Sequence, residues 1–371
     1  MKKHHSPTEN GGLHKPQLSR RDFLKLGGLS AGSLLLNPEK TSNRQTLQEF
    51  PDAPHLARAV GDLNVRSLPD INSALVGAIK EDEVLPWIRE VVGVFPGASV
   101  RRWVETPVGW VWSPNLQPVK NTPSQPVTEL IETSLGPGMW VQVCVPWVEV
   151  SLEYGQPLAP WLEYRIQQER KPAYLYYDQI FWVDRINTDI NGQVWYRLSE
   201  LYGTYGDVFI GPAEAFRKIE PEEIAPISPE VEEKTIEVNV RRQTVQAFEG
   251  TREVYFARCS TGLDGEETET PIGLYHQVWR KAVSTHMAGN TAQGYDTPGI
   301  GYTTLFVGSG VAFHATFWHN AYGAKRSHGC VNLRPDDAKW IWRWTTPYVS
   351  YDPGDKTVTD FSGTIVRVVD Y

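Results

Sequence analysis

Cysteine is scarce in this sequence, with three residues in a chain of 371. Three cysteines cannot build a disulfide framework, and no two of them have the close spacing of a zinc knuckle. Basic residues are in the minority, with 36 Lys and Arg against 44 Asp and Glu and a net charge of −8. Because a nucleic-acid-binding surface must neutralise phosphates, this charge balance argues against non-specific nucleic-acid binding.

Turn-forming and aromatic residues are abundant, with 31 Gly, 27 Pro, 14 Trp, 16 Tyr and 12 Phe. This composition is typical of short strands joined by turns rather than of long helices. At about 150 residues per domain, the length allows two or three domains. We therefore predict a mainly β protein built from several small domains.

The first 36 residues differ in charge from the rest, with six Lys and Arg against two Asp and Glu. The segment Ser19–Lys25, SRRDFLK, precedes a weakly apolar run, Leu26–Leu36. A basic stretch before a short apolar run is the layout of an export signal, and the paired arginines resemble the twin-arginine signal. The alternative is a charged, disordered terminus before an ordinary helix.

The apolar run after the arginines is too short to span a bilayer. No A-x-A cleavage site follows it, and no cysteine lies there to carry a lipid. We therefore expect an exported protein of the cell envelope, either released or tethered to the membrane through an uncleaved signal. Residues 37–54 are polar and are predicted to be a linker.

Short alternating runs begin after this linker. The predicted strands are Leu63–Ser67, Leu75–Ile79, Glu83–Leu85, Val100–Val104 and Gly109–Trp112. The sequences NVR and GWVW at the two ends of this region resemble bacterial SH3 domains, so we predict a small SH3-like barrel over residues 55–120. Residues 138–220 are again rich in aromatic strands, and GQVWY resembles the closing strand of the first barrel. This indicates a second β-rich, diverged SH3-like domain.

The last predicted domain covers residues 233–371, after a Pro- and Glu-rich joint, Pro221–Glu233. One helix is predicted over Pro335–Trp344, because proline suits the first turn and Asp336 and Asp337 meet the positive end of the helix dipole. The predicted strands are Thr235–Val240, Thr244–Phe248, Glu253–Cys259, Gly273–Arg280, Thr303–Val307 and Val311–Phe313.

The candidate chemistry is concentrated between His314 and Asn332. Cys330 lies sixteen residues after His314 and two after His328. A thiol attacks only as thiolate, and an imidazole with a near-neutral pKa is its natural base. Gly329 permits a tight turn beside the sulfur, and backbone N–H groups there could hold an oxyanion. These residues indicate acyl transfer by a cysteine and histidine pair.

The Cys and His side chains of this chain allow two other interpretations, a buried structural cysteine and a zinc site. A lone cysteine is usually a small buried hydrophobe, which is our prediction for Cys144 and Cys259. Zinc ligation would use residues whose spacing matches no familiar zinc motif, and no carboxylate completes a hydrolytic set. We therefore predict neither a metal nor a cofactor. The zinc set would be His314, His319, His328 and Cys330.

The sequence SHGCVNL, preceded by a strand that ends in histidine, resembles the L,D-transpeptidase family with its YkuD-type catalytic domain. Ser260-Thr261-Gly262 after a strand, and TPIG from Thr270, belong to the same pattern. The resemblance covers about residues 233–371. It implies a β-sandwich-like domain that cross-links peptidoglycan stem peptides. Where members often have Gly or Ser after the histidine, this chain has Ala315.

The resemblance also implies a role for each residue. Cys330 would attack the bond between the diamino acid and the terminal D-Ala of a stem tetrapeptide and form a thioester. His314 would lower the pKa of the thiol and take its proton, oriented by the Ala315 carbonyl. The implied oxyanion and loop residues are Gly329, His328, Ser327, Asn332, Ala315 and Tyr295. The implied substrate-binding residues are Tyr295, Met287 and Trp318.

Other functions remain open at this point. A cysteine peptidase or carboxypeptidase of the cell wall would use the same pair, and a non-catalytic wall-binding protein would retain only the fold. A sortase needs a T-L-x-T-C motif, which is absent. The expected partner is the peptidoglycan stem, with the SH3-like region binding the wall. The diamino acid, the acyl acceptor and the oligomeric state are not defined by the sequence.

Overall fold

The computed structural model describes residues 47–202, 205–288 and 296–371. The predicted export signal (1–36), most of the predicted linker (37–54) and Tyr295 lie outside these residues. Within them the chain is mainly β, with 25 strands and two α-helices. This confirms the predicted fold class, with several N-terminal sheets before a C-terminal region that carries one helix near residue 335.

The first block of strands packs around a small core of Val65, Val104 and Val111. Side chains alternate between the core and the solvent, since Val65 is buried while Asn64 is exposed. One sheet has three strands and the other has five, in the orders β4-β1-β8 and β3-β2-β7-β6-β5. The five predicted strands are present within two residues, and three more were not predicted. The strands are β1 (Leu56–Ala59), β2 (Leu63–Arg66), β3 (Leu75–Ile79), β4 (Val84–Pro86), β5 (Arg89–Val92), β6 (Arg102–Thr106), β7 (Gly109–Trp112) and β8 (Leu116–Val119).

The second block is one seven-stranded antiparallel sheet in the order β11-β10-β14-β13-β12-β9-β15. Aromatic and β-branched residues fill its core, among them Phe181, Phe209 and Tyr196. The strands are β9 (Met139–Val143), β10 (Trp147–Leu152), β11 (Ala173–Tyr176), β12 (Ile180–Thr188), β13 (Val194–Ser199), β14 (Val208–Pro212) and β15 (Phe216–Lys218), with the short helix α1 (Pro160–Glu163) between β10 and β11.

The third block contains two five-stranded sheets and the second helix, α2 (Pro335–Trp344). The sheet orders are β18-β17-β16-β25-β19 and β23-β22-β21-β20-β24. The strands are β16 (Lys234–Asn239), β17 (Thr244–Glu249), β18 (Arg252–Arg258), β19 (Gly273–Gln277), β20 (Arg280–Ala288), β21 (Asp296–Leu305), β22 (Ala312–Ala315), β23 (Val331–Leu333), β24 (Asp355–Thr357) and β25 (Ile365–Val369).

The strand predictions in this block were partly wrong: β21 begins at Asp296 rather than at Thr303, and β23 and β24 were not predicted. The single run predicted from Gly273 to Arg280 is two strands, β19 and β20, and β20 continues to Ala288. The closing strand β25 was not predicted, although it pairs in parallel with β16 and completes the first sheet. Local alternation cannot show such a pairing, because its partners lie more than a hundred residues apart along the chain.

Helix α2 has the bounds that the sequence predicts. Pro335 occupies its first turn, and Asp336 and Asp337 lie at the positive end of its dipole. Its buried face contains Ala338, Ile341, Trp342 and Trp344 and packs into a core shared by both five-stranded sheets.

The second and third blocks share this core. Trp140, Ile180 and Trp182 of the second block belong to the same buried cluster as strands of the third. Gly301 on β21 permits the close approach, since a Cβ there would lie 2.8 Å from Ile180. The Ser284 hydroxyl donates to the Ile180 carbonyl at 2.7 Å. The contact between the two blocks is therefore close-packed.

The predicted joint at Pro221–Glu233 is folded rather than extended. Pro221–Ile224 forms a short 3₁₀ turn, and Ile224 is buried. The Ala225 carbonyl accepts a hydrogen bond from the Arg343 guanidinium at 2.7 Å. The composition predicted a joint here, but the buried Ile224 side chain and the hydrogen bond from Arg343 hold the segment in place. No helix in the described ranges is long and apolar enough to cross a membrane.

Candidate active site

Cys330 lies at the entrance to β23, beside the strand that carries His314. Strands β22 and β23 are parallel neighbours, with Phe313 opposite Val331 and His314 opposite Asn332. This pairing brings the predicted nucleophile and the predicted base to one edge of the sheet, although they are sixteen residues apart in sequence. The sheet, rather than the local loop, therefore determines their relative position.

A network of hydrogen bonds fixes the backbone on the N-terminal side of the cysteine. Gly329 has φ +115°, a conformation that side-chain-bearing residues rarely adopt. Its N–H donates to Ser327 Oγ at 3.2 Å, and the Ser327 hydroxyl donates to the Cys330 carbonyl. The Thr270 hydroxyl donates to the Gly329 carbonyl at 2.8 Å and accepts from the Gly262 N–H at 2.9 Å. The predicted residues Ser327 and Gly329 thus shape this loop.

The segment Ser260–Gly262 and the residue Thr270 are distant from the cysteine in sequence, but these contacts place them beside it in space. Ser260 forms a bridge with Asn332, and Gly262 forms one with Ser327. Residues that are distant in sequence therefore hold the loop in place.

The His314 ring is buried and held in one tautomer. Its Nδ1 lies 2.9 Å from the Ala315 carbonyl oxygen, which can only accept a hydrogen bond, so Nδ1 carries the proton and Nε2 has the lone pair. The Trp318 ring stacks on the imidazole, with ring centroids 5.7 Å apart and planes at 25°. Burial lowers the pKa of His314 to about 4, against a small opposing effect of the Ala315 carbonyl. The resting imidazole is therefore neutral.

The thiol is neutral as well. Burial raises the pKa of Cys330 to about 11, and a backbone hydrogen bond from Ala312 only partly offsets this. Its Sγ lies 3.8 Å from the Gly310 carbonyl oxygen, and in the described part of the chain no hydrogen bond joins it to His314. The prediction that His314 lowers the thiol pKa is wrong for this resting state, because neither buried group gains a charged partner.

His319 is a site residue that the sequence reasoning considered only as a possible metal ligand. It is buried, its Nδ1 accepts from the Ala321 N–H at 3.1 Å, and the Asn332 side-chain amide lies 2.9 Å from Nε2. The contact between Asn332 Nδ2 and His319 Nε2 joins the ring to the side chain two residues beyond Cys330. His319 thus supports the strand immediately after Cys330. Its position in an irregular segment without periodicity gave no signal for this role.

The other predicted residues are placed differently. His328 is exposed, in contrast to the buried His314 and His319. Trp318 is half-buried against His314, and Met287 is half-buried on β20. Tyr295 lies outside the described residues. Within those residues, no group of three or more His, Cys, Asp or Glu side chains could hold a metal ion.

Cys144 and Cys259 are buried thiols, as the sequence predicts. Burial raises the pKa of Cys144 to about 11 and raises that of Cys259 still further. These two cysteines therefore stay protonated near neutral pH.

A cavity of about 510 Å³ is lined in part by the segment that follows His314. Thr316, His319 and Asn320 line it from the third block, and Leu56 and Trp87 line it from the first. Neither Cys330 nor His314 lines it. The first block therefore reaches the back of the candidate site, whereas the thiol faces the Gly310–Ala312 backbone.

The third block is thus a two-sheet β domain in which a loop-held cysteine precedes a helix and a histidine lies on the adjacent strand. Residues 233–368 match the family described as YkuD, the L,D-transpeptidase catalytic domain. This part of the chain is therefore similar to L,D-transpeptidase catalytic domains, and the match covers less than half of the chain. A search of curated proteins gives no significant match.

Several solved structures are similar to parts of the chain. The NMR structure of the catalytic domain of an Enterococcus faecium L,D-transpeptidase is 23% identical, with 37% of this chain and 98% of that chain covered and a TM-score of 0.29. The L,D-transpeptidase from Mycobacterium smegmatis is 19% identical, with 49% and 81% covered and a TM-score of 0.28. Mycobacterium tuberculosis L,D-transpeptidase 1 is 20% identical, with 50% and 80% covered and a TM-score of 0.27.

Proposed function

We propose that the chain is an exported peptidoglycan L,D-transpeptidase that uses Cys330 as nucleophile and His314 as base. The observation that carries this proposal is the pairing of β22 with β23, which brings His314 to the strand next to the cysteine with its Nε2 unprotonated. A lone pair on Nε2 is what a general base needs. The family of residues 233–368 supplies the substrate class, the stem peptide.

In the proposed acylation step, the thiol leaves the Gly310 carbonyl and turns towards His314. Nε2 of His314 takes the thiol proton as sulfur attacks the carbonyl between the diamino acid and the terminal D-Ala of a tetrapeptide stem. The resulting imidazolium then gives that proton to the leaving D-Ala amine, and a thioester remains on Cys330. An amine of a neighbouring stem then attacks the thioester carbonyl, His314 takes a proton from that amine, and the C–S bond breaks to return the protonated Cys330 thiol and leave a 3→3 cross-link.

Proton transfer during attack, rather than a standing ion pair, suits the resting pKa values. With the thiol pKa raised to about 11 and the imidazole pKa lowered to about 4, the neutral pair is favoured until substrate arrives. Among the loop amides, the Gly329 N–H already donates to Ser327 Oγ. We therefore assign the Cys330 N–H as the principal oxyanion donor, with Ser327, His328, Asn332 and the Ala315 carbonyl holding the geometry.

The proposal also covers the substrate-binding residues and the two N-terminal domains that the sequence predicts. Tyr295, Met287 and Trp318 are proposed to contact the stem peptide, with Trp318 also packing on His314. Residues 55–120 are proposed to be SH3-like and 138–220 a diverged relative, both of them associated with the wall.

Export through the twin-arginine signal is testable by replacing Arg20 and Arg21 with Lys, which retains the charge. Undiminished delivery of that variant to the envelope would contradict the route.

One experiment separates the proposed activity from its alternatives. The protein is incubated with a defined stem tetrapeptide, with a Cys330→Ala variant as control, and the products are identified by mass spectrometry. A cross-linked dimer and free D-Ala are expected from the parent and not from the variant. Tripeptide without dimer would identify a carboxypeptidase instead. Bound but unchanged tetrapeptide would identify a wall-binding protein.

A further inference from the structure

The segment Thr316–Asn320 connects the candidate base to the surroundings of the nucleophile. Trp318 stacks on the His314 ring. His319 pairs with Asn332, two residues beyond Cys330. A displacement of this segment would therefore move both the Trp318 ring that packs on His314 and the His319 ring that contacts Asn332.

This segment has no regular secondary structure, and the first block holds much of its backbone. The Asn320 N–H donates to the Pro114 carbonyl at 2.9 Å, and the Asn320 side-chain amide donates to Ser113 Oγ at 3.0 Å. The Asn320 carbonyl accepts from the Arg102 guanidinium at 2.9 Å. The Phe317 carbonyl accepts from Arg58 Nη2 at 3.0 Å.

Arg58 is buried, and its guanidinium has several fixed partners. Nε donates to Gln117 Oε1 at 2.8 Å, and Nη1 donates to Asp82 Oδ1 at 2.7 Å. The guanidinium carbon lies 4.0 Å from the ring centroid of Tyr176. The Tyr176 ring in turn stacks on Phe317, with centroids 5.8 Å apart. A planar guanidinium bound in this way has one orientation, so its remaining donor fixes the Phe317 carbonyl.

We propose that Arg58, in the N-terminal block, is a positioning residue for the active site of the C-terminal domain. It acts through the Phe317 carbonyl, which sets the position of Trp318 over His314. This inference rests on the proposed function of His314 as base. It assigns the N-terminal block a role in catalysis in addition to the proposed wall binding.

The chain provides a matched control in Arg165. Both arginines are buried, both donate to Asp82 (2.7 Å from Arg58 and 3.1 Å from Arg165), and both lie over a tyrosine ring. Nε of Arg165 donates to the Pro172 carbonyl within the second block. Of these two arginines, Arg58 is the one that contacts the catalytic segment. Arg165→Met therefore removes a buried arginine and an Asp82 partner without removing the Phe317 contact.

The first readout is the titration of His314, which does not depend on activity. Histidine ring-labelled full-length protein is titrated by NMR, with the His314 signal assigned through a His314→Gln variant. In Arg58→Met, Trp318 should loosen and water should reach the ring, so the His314 pKa should rise from about 4 towards its ordinary 6.5. In Arg165→Met it should stay at the parent value, although thermal stability falls in both variants.

The second readout is the rate of Cys330 acylation by a stem tetrapeptide or a carbapenem. Arg58→Met should lower kcat about ten- to a hundredfold, because the base moves, and should raise KM by a smaller factor, because Trp318 is one of several proposed stem contacts. Arg58→Lys retains a cation and a single donor nitrogen, so it should restore part of the rate and should fold even if Arg58→Met does not. Arg165→Met should leave kcat close to the parent value.

Two results would overturn the inference. One is an unchanged His314 titration and an unchanged kcat in the Arg58 variants. The other is an equal change in Arg165→Met, which would show a general effect of a lost buried arginine. If the parent protein itself is not acylated, the proposed function fails, while the His314 titration still reports whether Arg58 positions the segment.

Discussion

The Sγ atom of Cys330 lies 3.8 Å from the carbonyl oxygen of Gly310, and this contact replaces the expected one to His314. Burial raises the pKa of this thiol and lowers that of His314, so neither group has a charged partner at rest. The proposed mechanism therefore transfers the proton during attack and does not start from a thiolate–imidazolium pair.

The first prediction concerns the reactivity of the resting thiol. Iodoacetamide labelling of Cys330, measured with Cys144 and Cys259 replaced by Ala, should increase with pH up to about 11 without a plateau near neutral pH. The reason is that no positive partner stabilises the thiolate at rest. His314→Gln should leave this profile in place yet abolish acylation by a carbapenem. A labelling plateau from about pH 5 upward would instead reveal an ion pair.

The second prediction concerns the loop that holds the cysteine. Thr270→Val removes the hydroxyl that links the Gly329 carbonyl to the Gly262 N–H. Leaving buried backbone groups without a partner should cost about 1–3 kcal/mol of unfolding free energy and should slow acylation. Thr268→Val is the control, because its hydroxyl donates at 3.2 Å to the Leu263 carbonyl at an exposed edge of the same loop. Chemical denaturation of both variants checks the stability difference.

The third prediction concerns a buried histidine outside the site. His286 has Glu200 on Nδ1, at 2.8 Å, and Asp296 on Nε2, with the Tyr205 ring against its edge. Burial opposes the charge, but the two carboxylates outweigh it and raise the pKa of His286 above its ordinary 6.5. The native protein thus retains a proton that the unfolded chain loses.

The stability from His286 is therefore complete below about pH 6.5 and is lost as the pH rises through the folded pKa. Unfolding free energies of the parent should fall across this range. The Glu200→Gln variant removes one of the two charges that hold the proton, so its curve should fall less steeply. Parallel curves for the two proteins would show that His286 is neutral in the native state.

The fourth prediction concerns the separability of the third block. A fragment of residues 221–371 would expose the surface that Trp140, Ile180 and Trp182 cover in the shared core. It would also lose the four first-block contacts to Thr316–Asn320. We expect this fragment to unfold at a lower temperature than the full chain and to acylate more slowly, by calorimetry and mass spectrometry. A fragment with the parent melting temperature would show that the blocks are independent.

The sequence by itself was sufficient for features whose cause is local. Helix α2 follows from Pro335, the two aspartates after it and the spacing of its apolar face, and the short strands of the first block follow from alternation. The sequence around Cys330 resembles the family that residues 233–368 match, and that resemblance lies within one short segment.

Only the tertiary structure decided what depends on partners distant in sequence. The raised pKa of Cys330 and the lowered pKa of His314 come from burial, which no motif displays. The role of His319 behind Asn332 depends on an irregular loop. The contact from Arg58 to Phe317 joins residues 259 positions apart, and it exists because two separately predicted blocks pack against each other. Packing between blocks determines these features, and a pattern within one segment carries no information about them.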